Sequence, residues 1–466
     1  MALQVKNPRT GKYDYTLPHI TVKNIENTTK ALKAEQPAWE ALPIAARISA
    51  MQAWKQEVIT HKQALIDALS HDTGRLWETV LEVDIVAQSI DRWCKIAAEF
   101  FTETPQKNTA IPFIKLQQQL KAFGLIGVIS PWNFPLLLSL IDTIPALLAG
   151  CAVIVKPSEV TPRFIEVMQK TLTPIKHVLQ YVAGNGKVGE ALVNNCDMIC
   201  FTGSTATGRK VYNAASKNMI PVFLELGGKD AVIVTENANI NQAASSILWG
   251  STANAGQSCL SIERVYVHKN IYNQFVTNLV EKAKKITLNS EQINQGQIGP
   301  IIFHKQVAII NAHLKNALDN GATIAYGNAQ CQQINGGYYC LPTIVTNVTS
   351  NMLLMTDETF GPIIPIIPFS TNAEAIALAN STIYGLSGAV FAATTAEAVT
   401  IANQMVCGAI SINDCALTAI MHEGEKNSFK LSGIGGTRMG PNAIKRFMRQ
   451  KVLIIKNNSV ENPWWY

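Results

Sequence analysis

Charged residues are sparse in this 466-residue sequence, and nothing in their distribution points to a charged partner. Only 15% of the residues are charged, and the 39 basic and 33 acidic side chains behind the formal net charge of +6 are spread along the chain. No block of five or six like charges occurs. The sequence therefore predicts neither a nucleic-acid-binding arm nor a polybasic membrane anchor.

The cysteine and histidine spacings of metal sites are also missing. The nine cysteines include no CxxC pair, and the eight histidines form no HxxH or HxxxH pair, so no metal site is expected. The N-terminal residues contain no apolar leader region. We therefore expect a cytoplasmic protein whose thiols stay reduced.

One apolar run is long enough to cross a bilayer. Residues 136–155 read LLLSLIDTIPALLAGCAVIV. The run contains Asp142 and Pro145, and its second half resembles a turn followed by a strand. A buried helix followed by a buried parallel strand is therefore favoured over a membrane span.

Strand-like and helical patterns alternate through most of the chain. With 47% hydrophobic residues, a chain of this length is expected to form more than one domain. Strands are predicted at 123–130, 152–157, 177–184, 198–204 and 220–226, with amphipathic helices at 161–172 and 186–195. A second set of strands follows residue 227. This alternation predicts an α/β fold with parallel sheets covered on both faces.

Two glycine motifs are candidates for binding a phosphate. GNGKVG (184–189) follows a predicted strand, but no acidic residue closes a second strand about 20 positions later, so a plain strand-to-helix turn remains equally open. In FTGSTATG (201–208), Gly203 permits close backbone approach and a helix begins near Thr205. Ser204 there either donates to a phosphate oxygen or caps the helix.

Six short stretches together resemble the aldehyde dehydrogenase superfamily. They appear in the family's order and span nearly the whole chain: SPWNFP (130–135), VKPSE (155–159), FTGSTATG (201–208), LELGGKD (224–230), GQSCLSIERV (256–265) and ETFGP (358–362). Weaker support comes from 384–391 and 408–414. The resemblance implies a Rossmann-type NAD-binding domain, an α/β catalytic domain and a small oligomerisation arm.

The resemblance assigns three catalytic roles. Cys259 is the implied nucleophile, which attacks an aldehyde carbonyl to form a thiohemiacetal. The side-chain amide of Asn133, with the backbone N–H of Cys259, is the implied oxyanion hole. Glu225, at the end of an apolar strand, is the implied general base that activates water against the thioester. Cys151 and Cys200 lie within apolar strand patterns and are expected to be core residues.

The resemblance also implies a cofactor site for NAD, with NADP possible. Lys156 and Glu159 are the implied adenosine-ribose contacts, and the Glu159 carboxylate favours NAD because it repels a 2′-phosphate. Glu358 and Phe360 are implied to hold the nicotinamide ribose and ring. The other implied contacts are Ile129, Ser130, Trp132, Ser158, Gly186, Gly189, Phe201, Thr202, Gly203, Ser204, Thr207, Leu226 and Gly227.

The chain departs from the family in one segment. Many members carry a proline-phenylalanine-glycine-glycine stretch before a C-terminal SG.G motif, whereas residues 425–440 read EKNSFKLSGIGGTRMG. Because of this difference, the sequence does not determine the shape of the substrate tunnel or the subunit contact. The residues expected to line the tunnel favour an uncharged aliphatic or aromatic aldehyde: Phe134, Leu137, Leu138, Ile141, Ser258 and Leu260.

The motifs also suggest domain boundaries and an oligomer. The NAD-binding domain is expected at 1–103 and 123–227, the catalytic domain at 228–443, and the oligomerisation arm at 104–122 and 444–466. A strand-like KVLII (451–455) in the arm implies a homo-oligomer, dimer or tetramer, because a bare apolar edge strand invites aggregation. The final PWWY (463–466) packs either on a neighbouring subunit or on its own.

Three functions remain to be weighed from the sequence. The leading one is an NAD-dependent aldehyde dehydrogenase that releases a free acid. A CoA-acylating dehydrogenase is a rival, although it needs no base to activate water and Glu225 argues against it. A non-catalytic nucleotide-binding protein is a third, against which the joint presence of Asn133, Glu225 and Cys259 speaks.

Overall fold

The computed structural model describes residues 2–101 and 105–456. The first hundred residues form a strand pair followed by four helices: β1 (Ala2–Lys6), β2 (Tyr13–Pro18), α1 (Val22–Ala41), α2 (Ile44–Thr60), α3 (Lys62–Thr73) and α4 (Trp77–Phe100). The helices pack through buried Leu, Ile, Val and Trp side chains onto the sheet that follows.

The next segment alternates strands and helices. Its elements are β3 (Lys107–Asn108), β4 (Ile114–Ala122), β5 (Leu125–Ile129), α5 (Pro135–Leu140), α6 (Thr143–Ala149), β6 (Ala152–Lys156), α7 (Phe164–Thr171), β7 (Leu179–Tyr181), α8 (Gly186–Asn195), β8 (Met198–Thr202), α9 (Thr205–Lys217) and β9 (Val222–Glu225). The predicted strand at 177–184 is therefore wrong in its extent, because the ladder with β6 covers only Leu179–Tyr181.

The second half of the chain continues the alternation. Its elements are β10 (Asp230–Val234), α10 (Ile240–Thr252), β11 (Ile262–His268), α11 (Tyr272–Ala283), α12 (His304–Asp319), β12 (Thr323–Tyr326), β13 (Gln332–Ile334), β14 (Gly337–Tyr339), β15 (Thr343–Thr346), α13 (Leu353–Thr356), β16 (Ile363–Phe369), α14 (Asn372–Ala379), β17 (Tyr384–Gly385), β18 (Ser387–Phe391), α15 (Thr395–Ala402), β19 (Ala409–Ile412), β20 (Phe429–Lys430), β21 (Gly433–Ile434) and β22 (Met448–Lys456).

The first large sheet has the strand order β21-β9-β8-β5-β6-β7. All neighbours pair in parallel except β21, which runs antiparallel to β9. Strands β5, β6 and β8 are buried throughout, as a sheet covered by helices on both faces requires. The chain order reverses beside β5, with β6 on one side and β8 on the other. In open α/β sheets such a switch point opens a crevice at the carboxyl ends of the strands.

The second large sheet has the order β12-β15-β16-β11-β10-β18-β19, and only β12 runs antiparallel to its neighbour. The prediction of two parallel α/β sets is confirmed. Residues 136–155 form α5, α6 and β6, as expected for a buried helix and strand. Among the residues that the structure describes, no helix is long and apolar enough to cross a membrane.

A third sheet, β22-β4-β3, joins the two segments of the predicted arm. β22 pairs antiparallel with β4 along its whole length, from Met448 opposite Ala122 to Lys456 opposite Ile114. The tail strand thus has a partner within its own chain. The predicted domain division stays a prediction. Its boundary at residues 103 and 104 and the PWWY ending lie outside the described residues.

One expectation about the cysteines is wrong. Cys331 and Cys340 form a disulfide, with their Cα atoms 4.5 Å apart. They flank the hairpin of β13 and β14, whose two-residue turn has positive φ at Asn335 (52°) and Gly336 (93°). Asn-Gly favours this turn type, and the register places the cysteines directly opposite each other, which is close enough to bond. The prediction that Cys151 and Cys200 are core residues is confirmed.

Counting thiols checks this pairing. Seven cysteines are free in the structure and two are bonded. We expect purified protein, denatured without reductant, to react with a thiol reagent at seven positions, and at all nine after reduction. Finding nine reactive thiols before reduction would contradict the bridge. The control is a Cys331→Ser variant, which cannot form the bridge.

Candidate active site

Four strands of the first sheet end along one edge. Ile129 ends β5, Lys156 ends β6, Thr202 ends β8 and Glu225 ends β9. Because these strands are parallel, their carboxyl ends meet at the crevice beside β5. The sheet therefore brings predicted cofactor residues from three motifs to the same edge as the predicted base.

Lys156 and Glu159 form a pair at this edge. The buried Lys156 Nζ lies 3.1 Å from the Pro157 carbonyl oxygen and 3.4 Å from Glu159 Oε2. Burial lowers the pKa of Lys156, against the pull of Glu159. The Glu159 side chain is 47% exposed, which leaves its carboxylate accessible to hydroxyl donors from outside the chain.

The crevice has open space at one glycine and a buried hydroxyl without a partner among the described residues. The buried Ser130 Oγ has no hydrogen-bond partner within the described chain. A side chain at Gly186 would meet only open space, and one at Gly189 would face Lys156 and Ile129. These features fit an NAD-type cofactor. Ser204 adopts the helix-capping alternative, since its Oγ accepts the Thr207 N–H at 3.3 Å.

The loop before Cys259 makes an unusual left-handed turn. Asn254, Ala255 and Gly256 have φ values of 53°, 55° and 70°. The fully buried Gln257 closes this turn, because its Nε2 donates to the Asn254 and Pro300 carbonyl oxygens and its Oε1 accepts the Ile302 N–H. The Gln257 side-chain amide thereby satisfies backbone groups that in a strand or helix would bond to other backbone groups.

The same loop fixes Asn133. Its Nδ2 donates to the Gln257 carbonyl oxygen at 3.0 Å, and its own carbonyl oxygen accepts from Asn254 Nδ2 at 3.2 Å. An amide nitrogen carries two hydrogens, so one remains for a ligand. The structure thus joins the predicted oxyanion donor to the Cys259 loop through two direct contacts.

Cys259 is half-buried and its thiol is protonated at neutral pH. Burial raises the pKa of Cys259 to about 12, the Lys426 ammonium acts against this, and Glu358, Glu225 and Asp230 add to it. A Cβ on Gly228 would sit 2.3 Å from the Cys259 carbonyl oxygen. The strand end that carries Glu225 therefore packs directly on the cysteine loop.

Glu225 is engaged by the C-terminal segment. Gly433 on β21 pairs with Glu225 on β9, and the Leu226 N–H donates to the Ser432 carbonyl oxygen at 2.9 Å. Ser428 Oγ donates to Glu225 Oε2, also at 2.9 Å. Segment 425–440, whose sequence departs from the family pattern, therefore contacts the predicted base directly.

Glu358 and Phe360 sit beside this strand end. Glu358 Oε1 accepts the Gly228 N–H at 3.0 Å, and a Cβ on Gly227 would collide with its carboxyl group. Burial and the nearby Glu263 raise the pKa of Glu358 to about 8. The Phe360 ring lies 5.4 Å from that of Trp132, centroid to centroid.

A buried ion pair between Lys229 and Glu263 holds the backbone at Phe360. Glu263 accepts the backbone N–H groups of Thr359 and Phe360 at 2.7 and 2.8 Å, and Lys229 Nζ donates to the same carboxylate at 2.5 Å. Phe360 has a φ of 51°, a conformation that this grip maintains. Three quoted motifs, LELGGKD, GQSCLSIERV and ETFGP, thus meet at one network.

The predicted tunnel residues share one helix face. Phe134, Leu137, Leu138 and Ile141 are half-buried, whereas Leu136 and Leu140 are fully buried. Ser258 and Leu260 are also half-buried, and the Leu260 N–H donates to Ser258 Oγ at 3.3 Å. The four residues of α5 and its ends thus present a partly exposed apolar face, and Asn133 directly before Phe134 contacts the Cys259 loop.

Several supporting residues carried no motif and were missed in the sequence. Arg75 stacks 4.4 Å over the Phe134 ring and pairs with Glu82 at 3.3 Å, and Glu82 accepts the Leu137 N–H at 2.8 Å. Arg438 donates to Asp142 and to Thr202 Oγ1, each at 2.5 Å. The only signal for such pairs is a charge in an apolar run, as at Asp142.

No group of three His, Cys, Asp or Glu side chains suited to a metal ion occurs in residues 2–101 and 105–456. Two further predicted cofactor residues lie near the ends of β6 and β8. Ser158 follows Pro157 in the loop after β6, where its Oγ accepts the Val160 N–H at 3.2 Å. Phe201 is buried against Gly203, whose Cβ position its ring would fill. These residues line the same edge, and their contact with a cofactor stays a prediction.

Comparison with known proteins defines the class. The profile described as the aldehyde dehydrogenase family matches residues 1–453, so the chain belongs to the aldehyde dehydrogenase family. A provisionally named aldehyde dehydrogenase, PutA from Anabaena variabilis, has a solved structure that superposes with a TM-score of 0.98 and 50% identity, and covers 100% of both chains.

Two further similarities are more distant. Betaine aldehyde dehydrogenase (betB) from Staphylococcus aureus, solved with NAD+, has a TM-score of 0.92 and 28% identity, with 100% of this chain and 93% of that chain covered. A provisionally named succinate-semialdehyde dehydrogenase [NADP(+)] from Mycolicibacterium smegmatis is 32% identical over 452 residues, which are 95% of this chain and 87% of the relative.

These findings confirm the predicted family, fold class and enzyme class. The chain is an oxidoreductase that acts on aldehydes, and its cofactor is of the NAD(P) type. The individual site residues stay predictions, although the structure brings Asn133, Glu225, Cys259 and Glu358 into one region.

The charge on Lys426 should control the reactivity of Cys259. In Lys426→Gln the ammonium that opposes burial is lost, so the thiol loses its proton only at higher pH. We expect iodoacetamide to alkylate Cys259 about three- to tenfold more slowly at pH 9 in this variant, since thiolate fraction falls tenfold per pKa unit. Lys426→Arg keeps the charge and should react at the wild-type rate. Equal rates in both variants would contradict the assignment.

Proposed function

We propose that the chain oxidises an aldehyde to the free carboxylic acid through a Cys259 thioester, with NAD as the preferred cofactor. The observation that carries the proposal is the contact of Asn133 Nδ2 with the Gln257 carbonyl oxygen, two residues before Cys259. This contact ties a side-chain amide donor to the loop that carries the thiol.

In acylation, the Cys259 thiol releases its proton to solvent, and the sulfur bonds to the aldehyde carbon. The carbonyl oxygen becomes an oxyanion, to which the free Asn133 Nδ2–H and the Cys259 N–H donate. Losing one such donor typically costs about 3 kcal/mol in the barrier. A bound NAD(P) would supply the hydride acceptor, and loss of hydride from the thiohemiacetal carbon would leave the acyl group on the Cys259 sulfur as a thioester.

In hydrolysis, Glu225 takes a proton from water as the water oxygen attacks the thioester carbon. The carbon–sulfur bond then breaks, and the acid and the Cys259 thiol are released. Glu225 is half-buried and lies within electrostatic reach of Cys259, which supports this role. Glu358 and Phe360, at the same strand end, would hold the nicotinamide ribose and ring.

The preference for NAD and the substrate class rest on charge. The exposed Glu159 carboxylate would accept ribose hydroxyls and repel a 2′-phosphate. The half-buried face of α5 beside Cys259 is apolar, with Phe134, Leu137, Leu138 and Ile141. An uncharged aliphatic or aromatic aldehyde suits this surface best.

We also propose a homo-oligomer in the cytoplasm. β22 is the outer strand of its sheet within the described residues, and Val452 and Ile454 are 45% and 69% exposed on it. An exposed strand of this kind is usually covered by a partner. Seven free thiols suit a reducing compartment, and the buried Cys331–Cys340 bridge is the exception to this pattern.

Two substitutions separate the chemical steps. Cys259→Ala should abolish aldehyde oxidation and leave NAD binding nearly unchanged, because the thiol is the nucleophile. Glu225→Gln should release one equivalent of NADH per active site as a burst and then stall. The measurement is stopped-flow NADH absorbance with uncharged aldehydes, with and without CoA. Steady turnover of Glu225→Gln without CoA would remove Glu225 from the role of base.

Cofactor choice is tested at Glu159. Glu159→Gln should raise the kcat/KM for NADP relative to NAD about tenfold, because the repulsion of a 2′-phosphate is lost. Glu26→Gln, an exposed site on α1, removes the same charge elsewhere and is the matched control. An unchanged NADP-to-NAD ratio in Glu159→Gln would place the adenosine ribose away from Glu159.

A further inference from the structure

Segment 425–440 bridges the two large α/β units at the predicted base. β20 pairs with β17, with Gly385 opposite Phe429, and β21 pairs with β9, with Gly433 opposite Glu225. The Ser432 hydroxyl accepts the Gly385 N–H at 2.9 Å, which locks the turn between the two short strands. The segment is therefore held from both sides at the point where Glu225 leaves its strand.

Ser428 stands at the centre of this bridge. Its Oγ donates to Glu225 Oε2 at 2.9 Å, and its side chain is half-buried. A Cβ on Gly433 would lie 2.7 Å from Ser428 Cβ, and a Cβ on Gly408 would lie 1.8 Å from the Asn427 carbonyl oxygen. The glycines on both sides thus allow the close approach that places the hydroxyl on the carboxylate.

We propose that Ser428 is a positioning residue for thioester hydrolysis, holding Glu225 Oε2 so that Oε1 is left to take the proton from water. The inference rests on the proposed role of Glu225 as the general base. A free carboxylate rotates about its terminal torsion, and a single donor on one oxygen restricts that rotation.

The proton balance of the step does not involve Ser428 itself. The water proton moves to Glu225 Oε1, the water oxygen bonds to the acyl carbon, and the carbon–sulfur bond breaks. The proton then passes from Glu225 to the departing thiolate, which restores the Cys259 thiol. The Ser428 hydroxyl keeps its own hydrogen and only donates it as a hydrogen bond throughout.

The charged and titratable groups within electrostatic reach of Glu225 come from two other segments. The Arg438 guanidinium, which Asp142 and Thr202 hold, lies within electrostatic reach of Glu225, and so does the Cys259 thiol. Neither donates a hydrogen bond to the carboxylate in the described structure, which leaves Ser428 as the direct donor.

Ser428→Ala tests the proposal against Ser428→Thr, which keeps a hydroxyl. In Ser428→Ala we expect an NADH burst of wild-type amplitude and a kcat about tenfold lower. The kcat/KM for the aldehyde should stay within about twofold of wild type, because it reports only the steps up to hydride transfer. Ser428→Thr should restore most of kcat.

A purely structural role predicts a different pattern. Thr437→Val removes a hydroxyl from the same segment without touching Glu225, and its ratio of kcat to kcat/KM should match that of wild type. Ser428→Gly is a second variant without the donor, for use if Ser428→Ala does not fold. A parallel loss of kcat and kcat/KM in the donor-free variant would overturn the proposal.

Glu225→Gln is measured beside these variants. If Glu225→Gln stalls after its burst while Ser428→Ala retains the wild-type kcat, the positioning role is overturned and the base stands. If Glu225→Gln turns over steadily, the proposed base itself fails, and the proposal that rests on it fails too.

Discussion

The left-handed turn at Asn254–Gly256 is the constraint on which the site depends. Non-glycine residues in this conformation each cost about 1–2 kcal/mol, and the turn holds two of them in sequence. The Gln257 side chain offsets this cost by bonding to backbone groups on three sides. The backbone carbonyl oxygen of Gln257 accepts a hydrogen bond from Asn133 Nδ2, so the loop that carries Cys259 also holds the predicted oxyanion donor.

Close backbone contacts complete the assembly. A Cβ on Gly256 would overlap the Gly361 backbone at 2.3 Å, and one on Gly228 would overlap the Cys259 carbonyl oxygen. The cysteine loop therefore packs against the ETFGP turn on one side and the end of the Glu225 strand on the other. Motifs far apart in sequence meet because only glycine permits the backbones to approach so closely.

Alternating patterns were sufficient to predict the parallel sheets, and the quoted motifs were sufficient to predict the family. The Cys331–Cys340 bridge was also readable, since CQQINGGYYC places Asn-Gly midway between the cysteines. The contacts of Gln257, Ser428 and Arg75 were not predictable from sequence. They join residues distant in the chain, and no local period or propensity records which polar side chains will face each other.

The contacts of segment 425–440 also could not be predicted from the sequence. Its departure from the family pattern was visible, yet only the fold reveals that it delivers Ser428 to Glu225 and Lys426 to the surroundings of Cys259. A segment expected to matter for the tunnel instead contributes polar groups to the predicted chemistry. In this chain the segment therefore adds polar groups beside the predicted base and the predicted nucleophile.

The most direct measurement is the mass of the peptide that carries Cys259, after the wild-type enzyme has been mixed with NAD and an uncharged aldehyde and quenched with acid within milliseconds. The account predicts that this peptide gains the mass of the acyl group, and that the gain is absent without NAD. An acyl group on another cysteine, or NADH formed with no acylated cysteine at all, would contradict it.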